Sequence, residues 1–262
     1  MAAKKKAKSR TARKMASARK AKPAGKKQRP IALYYWPTPN GWKISMMLEE
    51  CGLPYEMKPV NIGKGEQFTP EFLAISPNNR MPAIVDPDGP GGKPISVFES
   101  GAILQYLGRK TGKFYPKDER KRVAVDEWLF WQVGGLGPMA GQASHFRNYA
   151  KREGNEYAYD RYHNETHRLL GVMNKRLEGR DFLVDAYSIA DMACWGWIAA
   201  IARWDDMLEE FPNVKTWMQR IRARPATEKG FKLGRELREQ QANDPKADEE
   251  RRKILFGQRA RS

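Results

Sequence analysis

The spacing of the apolar residues changes character once along this chain, near residues 112–119. Before that point, short strand-like runs are interleaved with helical patterns in the order β-α-β-α-β-β-α, and glycine-rich turn chemistry joins the last two strands as a hairpin. After it, strand patterns cease and long helical patterns follow one another. The sequence therefore predicts an α/β domain over residues 31–112, followed by an all-helical domain over residues 119–234.

The turn and cap residues set the limits of the predicted elements. Ser188 is the N-cap of a predicted capping box, because Asp191 stands three residues later and Tyr187 and Met192 are spaced to form the hydrophobic staple. We interpret Asp191 as a residue that supports folding and not as a catalyst. The predicted elements of the first domain are strands at 31–36, 55–62 and 95–98, a further strand after Pro82, and helices at about 41–51, 70–75 and 100–110.

The formal charge of +17 is concentrated at the start of the chain. Residues 1–30 contain 13 lysines and arginines and no acidic residue, which leaves a charge of +4 for the remainder. Because this segment has almost no large apolar side chain, we predict a disordered basic tail. Three interpretations stay open: a solvated extension, a segment that binds nucleic acid or anionic surfaces, and a transit peptide. Residues 238–262 are also charged and are predicted to be a loose C-terminal tail.

The composition disfavours several classes of function. No apolar run is long enough to span a bilayer and no secretion signal is recognised, so we expect no membrane contact and a cytoplasmic protein.

Cys51 and Cys194 lie in helical patterns and are interpreted as small core residues in a reducing compartment. His163 and His167 stand four apart with Glu165 between them, whereas the metalloprotease pattern needs the glutamate directly after the first histidine. We therefore predict no metal site.

The stretch WPTPNGWK, residues 36–43, connects the first predicted strand to the first helix. It contains no cysteine, histidine or carboxylate, but Thr38 and Asn40 can donate hydrogen bonds and Pro39 fixes the backbone between them. A helix N-terminus also stabilises an anion. The turn is therefore suited to a negatively charged group, although its own residues do not supply one that reacts.

Two other steps of the first domain are candidates for binding. Glu99 and Ser100 open its last helix, where backbone N–H groups and the serine hydroxyl suit a carboxylate and the glutamate suits an ammonium group. The pair would fit the zwitterionic end of an amino acid; the alternative is an ordinary serine cap beside a surface glutamate. Met81–Pro82 lies at the mouth of a strand, and the sequence does not decide whether this bond is cis.

A series of motifs in the same order gives the chain a family resemblance over about residues 31–227. The motifs are PTPNGWK, IGKGEQF, ISPNNRMPAIVD, VFESGAILQYL, WLFWQVGGLGPM and YSIADMACW. Together they resemble the cytosolic glutathione transferases, and more narrowly the nu class of bacterial glutathione transferases, some of which act as disulfide-bond reductases.

The resemblance implies a thioredoxin-like first domain, an all-α second domain and a homodimer with its active site at the domain and subunit boundary. It also implies that glutathione, as co-substrate, supplies the reactive sulfur. Thr38 and Asn40 would then be catalytic and face that sulfur. By motif, the implied glutathione-binding residues are Asn40, Gln67, Met81, a cis Pro82, Glu99, Ser100 and Arg161.

The implied chemistry agrees with the physics of the turn. A free thiol has a pKa of about 8.5, and a helix N-terminus together with a hydrogen bond to the thiolate would lower it by roughly one to three units. The leading hypothesis is glutathione-dependent reduction of a disulfide substrate by thiol–disulfide exchange. The alternatives are conjugation of glutathione to electrophiles, peroxide reduction, or a non-enzymatic binding protein whose basic tail binds nucleic acid.

The stretch WLFWQVGGLGPM, residues 128–139, is apolar on nearly every side. It is predicted to be buried on more than one side, either in the core of its own domain or at an interface. The aromatic residues of this region are interpreted as core, with an apolar pocket wall as the alternative. They are Trp128, Trp131, Phe146 and Tyr149.

Overall fold

The computed structural model describes residues 28–204, 207–239 and 245–258. Most of the predicted basic tail, residues 1–27, lies outside the described residues. Where the description begins, the backbone N–H of Arg29 donates to Asp88 Oδ2 over 2.9 Å.

The first domain is built on a four-stranded sheet with the strand order β2-β1-β3-β4. Strand β1 pairs with β2 in parallel and with β3 antiparallel, and β3 pairs with β4 antiparallel. This mixed sheet with its helices is the predicted thioredoxin-like arrangement, and the predicted fold is confirmed. The elements are β1 (Ile31–Tyr35), α1 (Pro39–Cys51), β2 (Tyr55–Pro59), α2 (Pro70–Leu73), β3 (Ala83–Asp86), β4 (Ile95–Phe98) and α3 (Ser100–Thr111).

Strand β2 is shorter than predicted because the residues after Pro59 form a turn of their own. The side chain of Asn61 accepts hydrogen bonds from the backbone N–H groups of Gly63 and Lys64, over 3.0 and 3.2 Å. Its backbone N–H donates to the carboxylate of Glu66 over 2.6 Å. An asparagine that bonds to the backbone two residues later competes with a strand ladder, so the pairing ends at Pro59.

The second domain consists of helices, with one turn of π-helix at Gln132–Leu136 between the first two. The helix of the apolar stretch buries Leu129 but leaves the side chain of Phe130 65% exposed. The core of its own chain therefore covers one side of this helix, and burial of a second side at an interface stays a prediction. The helices are α4 (Glu119–Trp131), α5 (Gly137–Asn148), α6 (Glu156–Arg176), α7 (Ile189–Ile201), α8 (Pro212–Arg222), α9 (Pro225–Lys232), α10 (Arg235–Glu239) and α11 (Pro245–Phe256).

Helix α11 falls within residues 238–262, for which the sequence predicts a loose tail. The ring of Phe256 lies 4.4 Å from the ring of His145 and 5.0 Å from that of Tyr149, measured between centroids. The structure therefore differs from the prediction over Pro245–Phe256. Apolar residues are confined to the C-terminal end of this helix, so its contact surface is short and the charged residues before it conceal the pattern.

Helix α1 lies between the sheet and the second domain, and two glycines allow it to approach the helices of that domain closely. A Cβ atom on Gly196 of α7 would lie 2.5 Å from the backbone oxygen of Pro39, and one on Gly230 of α9 would lie 2.7 Å from the backbone nitrogen of Met46. Ser45 Oγ also donates to the backbone oxygen of Gly230 over 2.8 Å. One continuous apolar core runs from the sheet through α1 into these helices.

The predicted capping box at the start of α7 is present, and Asp191 is fully buried. Its carboxylate accepts hydrogen bonds from the backbone N–H groups of Leu183 and Ser188, each over 3.0 Å, and from Trp217 Nε1 over 2.9 Å. Burial raises the pKa of Asp191 to about 6, while these hydrogen bonds act in the opposite direction. The residue joins the start of α7 to a preceding loop and to α8, as its interpretation as a folding residue requires.

Replacing Asp191 with alanine is expected to lower the free energy of unfolding by about 2 to 4 kcal/mol, because buried donors lose their acceptor and the helix loses its cap. Urea denaturation followed by circular dichroism measures the change. The control is Asp185→Ala, at an exposed position nearby, which is expected to change the stability by about 0.5 kcal/mol or less. Equal effects of the two substitutions would contradict the structural role of Asp191.

Candidate active site

The turn between β1 and α1 presents Thr38 and Asn40 at the start of a helix. Thr38 is the N-cap residue of α1, with an extended backbone, and its Oγ1 accepts a hydrogen bond from the backbone N–H of Gly41 over 3.2 Å. Pro39 follows at the first helical position, where its missing N–H costs no intrahelical bond. Helix α1 therefore begins two residues earlier than predicted, and its first turn has a fixed conformation with a hydroxyl group beside it.

The hydroxyl of Thr38 donates to the thioether of Met81, with 3.6 Å between Oγ1 and Sδ. Met81 is buried and is joined to Pro82 by a cis peptide bond just before β3. A thioether is a weak acceptor, so the hydroxyl proton is available to any stronger acceptor that reaches this position. The structure thus brings Thr38, Met81 and Pro82 together, as the family resemblance implies.

Asn40 is bonded to a residue of the second domain. Trp197 Nε1 donates to Asn40 Oδ1 over 3.1 Å. An indole N–H can only donate, so it is the oxygen of the amide that faces Trp197 and the NH2 group occupies the other end. Asn40 is half-buried, and its NH2 group can donate to a partner at the turn.

The start of helix α3 has an unusual backbone and no side-chain cap. Glu99 occupies the N-cap position with φ 66° and ψ 118°, and its side chain does not bond to the helix start. A positive φ is strained for a residue other than glycine and is found preferentially at functional sites. Asn78 Nδ2 donates to Glu99 Oε1 over 3.1 Å and keeps that carboxylate near the helix start. Ser100 is thus the first helical residue and not the cap, and the helix start is suited to an anion.

A lysine that the sequence analysis did not identify lies behind Ser100. Lys43 is 2% exposed, and its Nζ donates to Ser100 Oγ over 3.2 Å and to Gln132 Oε1 over 2.6 Å. Burial lowers the pKa of Lys43 to about 7, with smaller opposing contributions from Cys194 and Glu99. An ammonium group placed here favours an anion at Ser100.

The other predicted binding residues differ in their surroundings. Gln67 is buried; its Nε2 donates to the backbone oxygen of Ile62 over 3.2 Å, while its Oε1 has no hydrogen-bond partner within the described chain. A buried acceptor without a partner fits a ligand N–H. Arg161 is exposed on α6. In the described part of the chain, no hydrogen bond or ion pair joins it to the turn between β1 and α1.

The cysteines and histidines of the chain do not form a second reactive centre in the described region. Cys194 is fully buried and Cys51 is half-buried, and burial raises the pKa of both thiols. His167 pairs with Glu210 over 3.2 Å. Among the residues placed in the structure, no group of three or more possible metal ligands occurs, and no helix is long and apolar enough to cross a membrane.

The stability of the protein is expected to depend on pH through Lys43. Because its pKa is lower in the folded than in the unfolded state, the unfolded chain binds more protons between about pH 7 and 10.5. The penalty of burying the charge is complete below pH 7 and disappears as the pH rises, so the free energy of unfolding increases. Between pH 7 and 9, the wild type should gain about 1 to 3 kcal/mol relative to Lys43→Met.

Urea denaturation at several pH values measures this difference. The matched control is Lys64→Met, which removes an exposed lysine and should leave the pH dependence of the wild type intact. If the stability of Lys43→Met follows the wild type in parallel from pH 7 to 9, Lys43 does not change its protonation on unfolding.

Comparisons with known proteins agree with this arrangement. Residues 29–109 match the glutathione S-transferase N-terminal domain, and residues 136–225 match the glutathione S-transferase C-terminal domain. The chain is 53% identical over 220 residues to the disulfide-bond oxidoreductase YfcG of Escherichia coli (strain K12). This match covers 83% of this chain and 99% of the relative.

Solved structures with the same fold contain glutathione. A glutathione transferase from Burkholderia graminis, with two glutathione molecules bound per subunit, has a TM-score of 0.76 and 44% identity over 80% of this chain and 90% of that one. A glutathione transferase from Pseudomonas putida, with one glutathione disulfide bound per subunit, has a TM-score of 0.75 and 42% identity. The match covers 80% of this chain and 94% of that one. Because both domain models match in the order that the fold requires, this chain belongs to the glutathione S-transferase family.

Proposed function

We propose that this chain reduces disulfides by thiol–disulfide exchange and that glutathione supplies the attacking thiolate. The observation that carries the proposal is the turn at the start of α1, where Thr38 Oγ1 and Asn40 Nδ2 are two donors and the described residues place no protein nucleophile beside them. The name of the relative from Escherichia coli and the glutathione disulfide bound to the Pseudomonas putida structure support the same chemistry.

Glutathione would be held by groups that match each of its ends. We infer that its γ-glutamyl carboxylate binds at the start of α3, where Ser100 and the buried charge of Lys43 favour an anion. Glu99 would accept from the ammonium group, and the free Oε1 of Gln67 from a peptide N–H. We assign the main chain of Met81, before the cis Pro82, to the peptide backbone; Arg161 is assigned on its motif alone.

The two donors would lower the pKa of the glutathione thiol. A hydrogen bond to a charged group contributes about 1.5 to 3 kcal/mol, and a helix N-terminus adds about 0.3 to 1 kcal/mol. At about 1.4 kcal/mol per pKa unit, the thiol pKa would fall from about 8.5 by roughly one to three units. Thiolate would then predominate near neutral pH, although neither Thr38 nor Asn40 titrates.

The reaction balances with two glutathione molecules. The first thiolate attacks one sulfur of the substrate disulfide, so a mixed disulfide forms and the other substrate sulfur leaves as a thiolate that takes up a proton. A second glutathione thiolate then attacks the glutathione sulfur of the mixed disulfide. Glutathione disulfide forms, the remaining substrate sulfur leaves as a thiol, and the substrate has gained two electrons.

Conjugation of glutathione to an electrophile is the second candidate function, and peroxide reduction could use the same thiolate. The observation that favours conjugation is a cavity of about 470 Å³ that begins at Pro37, directly before Thr38. Trp42 and Phe231 give it one apolar wall that suits an aromatic electrophile, and charged side chains, among them Arg222 and Lys232, line the rest. Parallel assays of both reactions separate the two functions.

Asn40→Ala is expected to lower disulfide turnover at pH 7 by about three- to thirtyfold, because one hydrogen bond to the thiolate is lost. Turnover of a small model disulfide with glutathione is measured by coupling to NADPH oxidation, with aryl-halide conjugation measured in parallel. The control is Asn164→Ala, at an exposed position of α6, which should keep wild-type rates. Bound glutathione without turnover of either substrate in the wild type would refute the enzymatic proposal.

We also propose that the protein is a homodimer. Val123 and Phe130 stand seven residues apart on α4, so they lie on one face of the helix, and they are 48% and 65% exposed. Two large apolar side chains on one helix face favour an interface.

Substituting both Val123 and Phe130 with lysine is expected to convert the dimer into a monomer, because two charges would be buried without partners. Size-exclusion chromatography with light scattering measures the mass. The control is Tyr157→Lys on α6, a side chain that is 80% exposed and lies outside the proposed interface. A wild type with the mass of one chain would rule out the dimer.

A further inference from the structure

The indole of Trp197 connects the second domain to the amide that we place beside the thiol. Trp197 lies on α7, one position after Gly196, whose missing side chain lets the α7 backbone approach Pro39. This approach brings Nε1 within 3.1 Å of Asn40 Oδ1. We propose that Trp197 is a positioning residue that fixes the Asn40 amide with its NH2 group toward the glutathione sulfur; this inference rests on the proposed function of Asn40.

The direction of the amide decides whether Asn40 helps or hinders the thiolate. With Oδ1 toward Trp197, the NH2 group is the end that can donate to an anion. A flipped amide would point its oxygen at the sulfur. Its NH2 group would then face the indole N–H of Trp197, and both of these groups are donors. Both contacts would be unfavourable in this half-buried region, so the indole N–H selects the useful orientation.

The indole itself is held in a groove on α5. Gly137 and Gly141 stand four residues apart and therefore on one face of that helix. A Cβ on Gly137 would lie 3.2 Å from Trp197 Nε1, and one on Gly141 would lie 3.3 Å from its Cη2. Both distances are shorter than ordinary carbon contacts, so the glycines leave the space that the ring fills. The ring cannot turn away from Asn40 without leaving this groove.

Docking of the two domains does not depend on the bond between Trp197 and Asn40 alone. Further along α1, Ser45 Oγ donates to the Gly230 backbone, and the guanidinium of Arg224 donates to both carboxylate oxygens of Glu50 over 2.5 and 2.9 Å. These bonds join the same helix to the second domain. Removing the indole N–H should therefore change the orientation of the amide while the domains remain docked.

The first variant is Trp197→Phe, which keeps a smaller aromatic ring in the groove and removes the N–H. At saturating glutathione, the pH dependence of kcat/KM for the disulfide reports the pKa of the bound glutathione thiol on its acid limb. We expect this apparent pKa to rise by about half a unit to one unit and turnover at pH 6.5 to fall about two- to fivefold. Turnover at pH 9 and the KM for glutathione should stay near their wild-type values, since the thiol ionises there unaided.

A second variant tests the orientation without altering the indole. Asn40→Asp keeps an oxygen for Trp197 and replaces the NH2 group with a second, negatively charged oxygen. The apparent thiol pKa should then rise further than in Asn40→Ala, because a charge repels the thiolate where alanine is neutral. An Asp variant with the wild-type profile would overturn the proposed orientation.

A double-mutant cycle separates positioning from a structural effect. Adding Trp197→Phe to Asn40→Ala should not change the profile further. The control is Ser45→Ala, which removes another buried bond between α1 and the second domain and should lower stability without moving the profile. A profile shift of equal size in both Asn40 backgrounds would overturn the proposal.

The remaining outcomes distinguish this inference from the proposed function. If Asn40→Ala shifts the profile and Trp197→Phe does not, the positioning role is refuted and the proposed function stands. If disulfide turnover persists and neither variant shifts the profile, Asn40 has no role as a thiolate donor and the inference is also refuted. If the wild type turns over no disulfide, the proposed function is refuted itself.

Discussion

The close approach of helix α1 to the second domain is the constraint on which the rest of the structure depends. Gly196 and Gly230 allow backbone to meet backbone at two points along this helix, at Pro39 and at Met46. Such contacts tolerate almost no displacement, because a single added carbon atom would collide with the opposing main chain. The helix that presents the candidate site is therefore oriented by packing from both domains, and the geometry at its N-terminus follows from that packing.

The electrostatics of the site have the same two-domain origin. Lys43 is held by Ser100 of the first domain and by Gln132 in the π-helical turn of the second. Burying an ammonium group with only neutral partners is unfavourable, and the pKa of Lys43 near 7 reflects this. A ligand carboxylate at the start of α3 would add an opposite charge to the smaller contribution that Glu99 already makes at Lys43. Part of the instability of the free site is thereby offset when an acidic ligand binds.

The sequence predicts those features that local chemistry determines. The element order, the cap at Ser188 and the turn at Thr38 depend on neighbouring residues, and the structure contains all three. Lys43 and Trp197 are not predicted because their partners lie 89 and 157 residues away in the sequence. Without those partners, a lysine in a helical pattern is interpreted as a surface residue. Helix α11 escapes it for a different reason, since its apolar residues occupy only one end.

The state of the two cysteines has a consequence for the durability of the protein. Cys194 is sealed in the core and the thiol of Cys51 is kept protonated by burial, so neither is a ready target for oxidants. Under the proposed chemistry the sulfur that is consumed arrives with each glutathione and departs with the product. Oxidative stress would then limit the reaction by depleting reduced glutathione. The protein would not be inactivated at its own thiols, and turnover would return once reduced glutathione is restored.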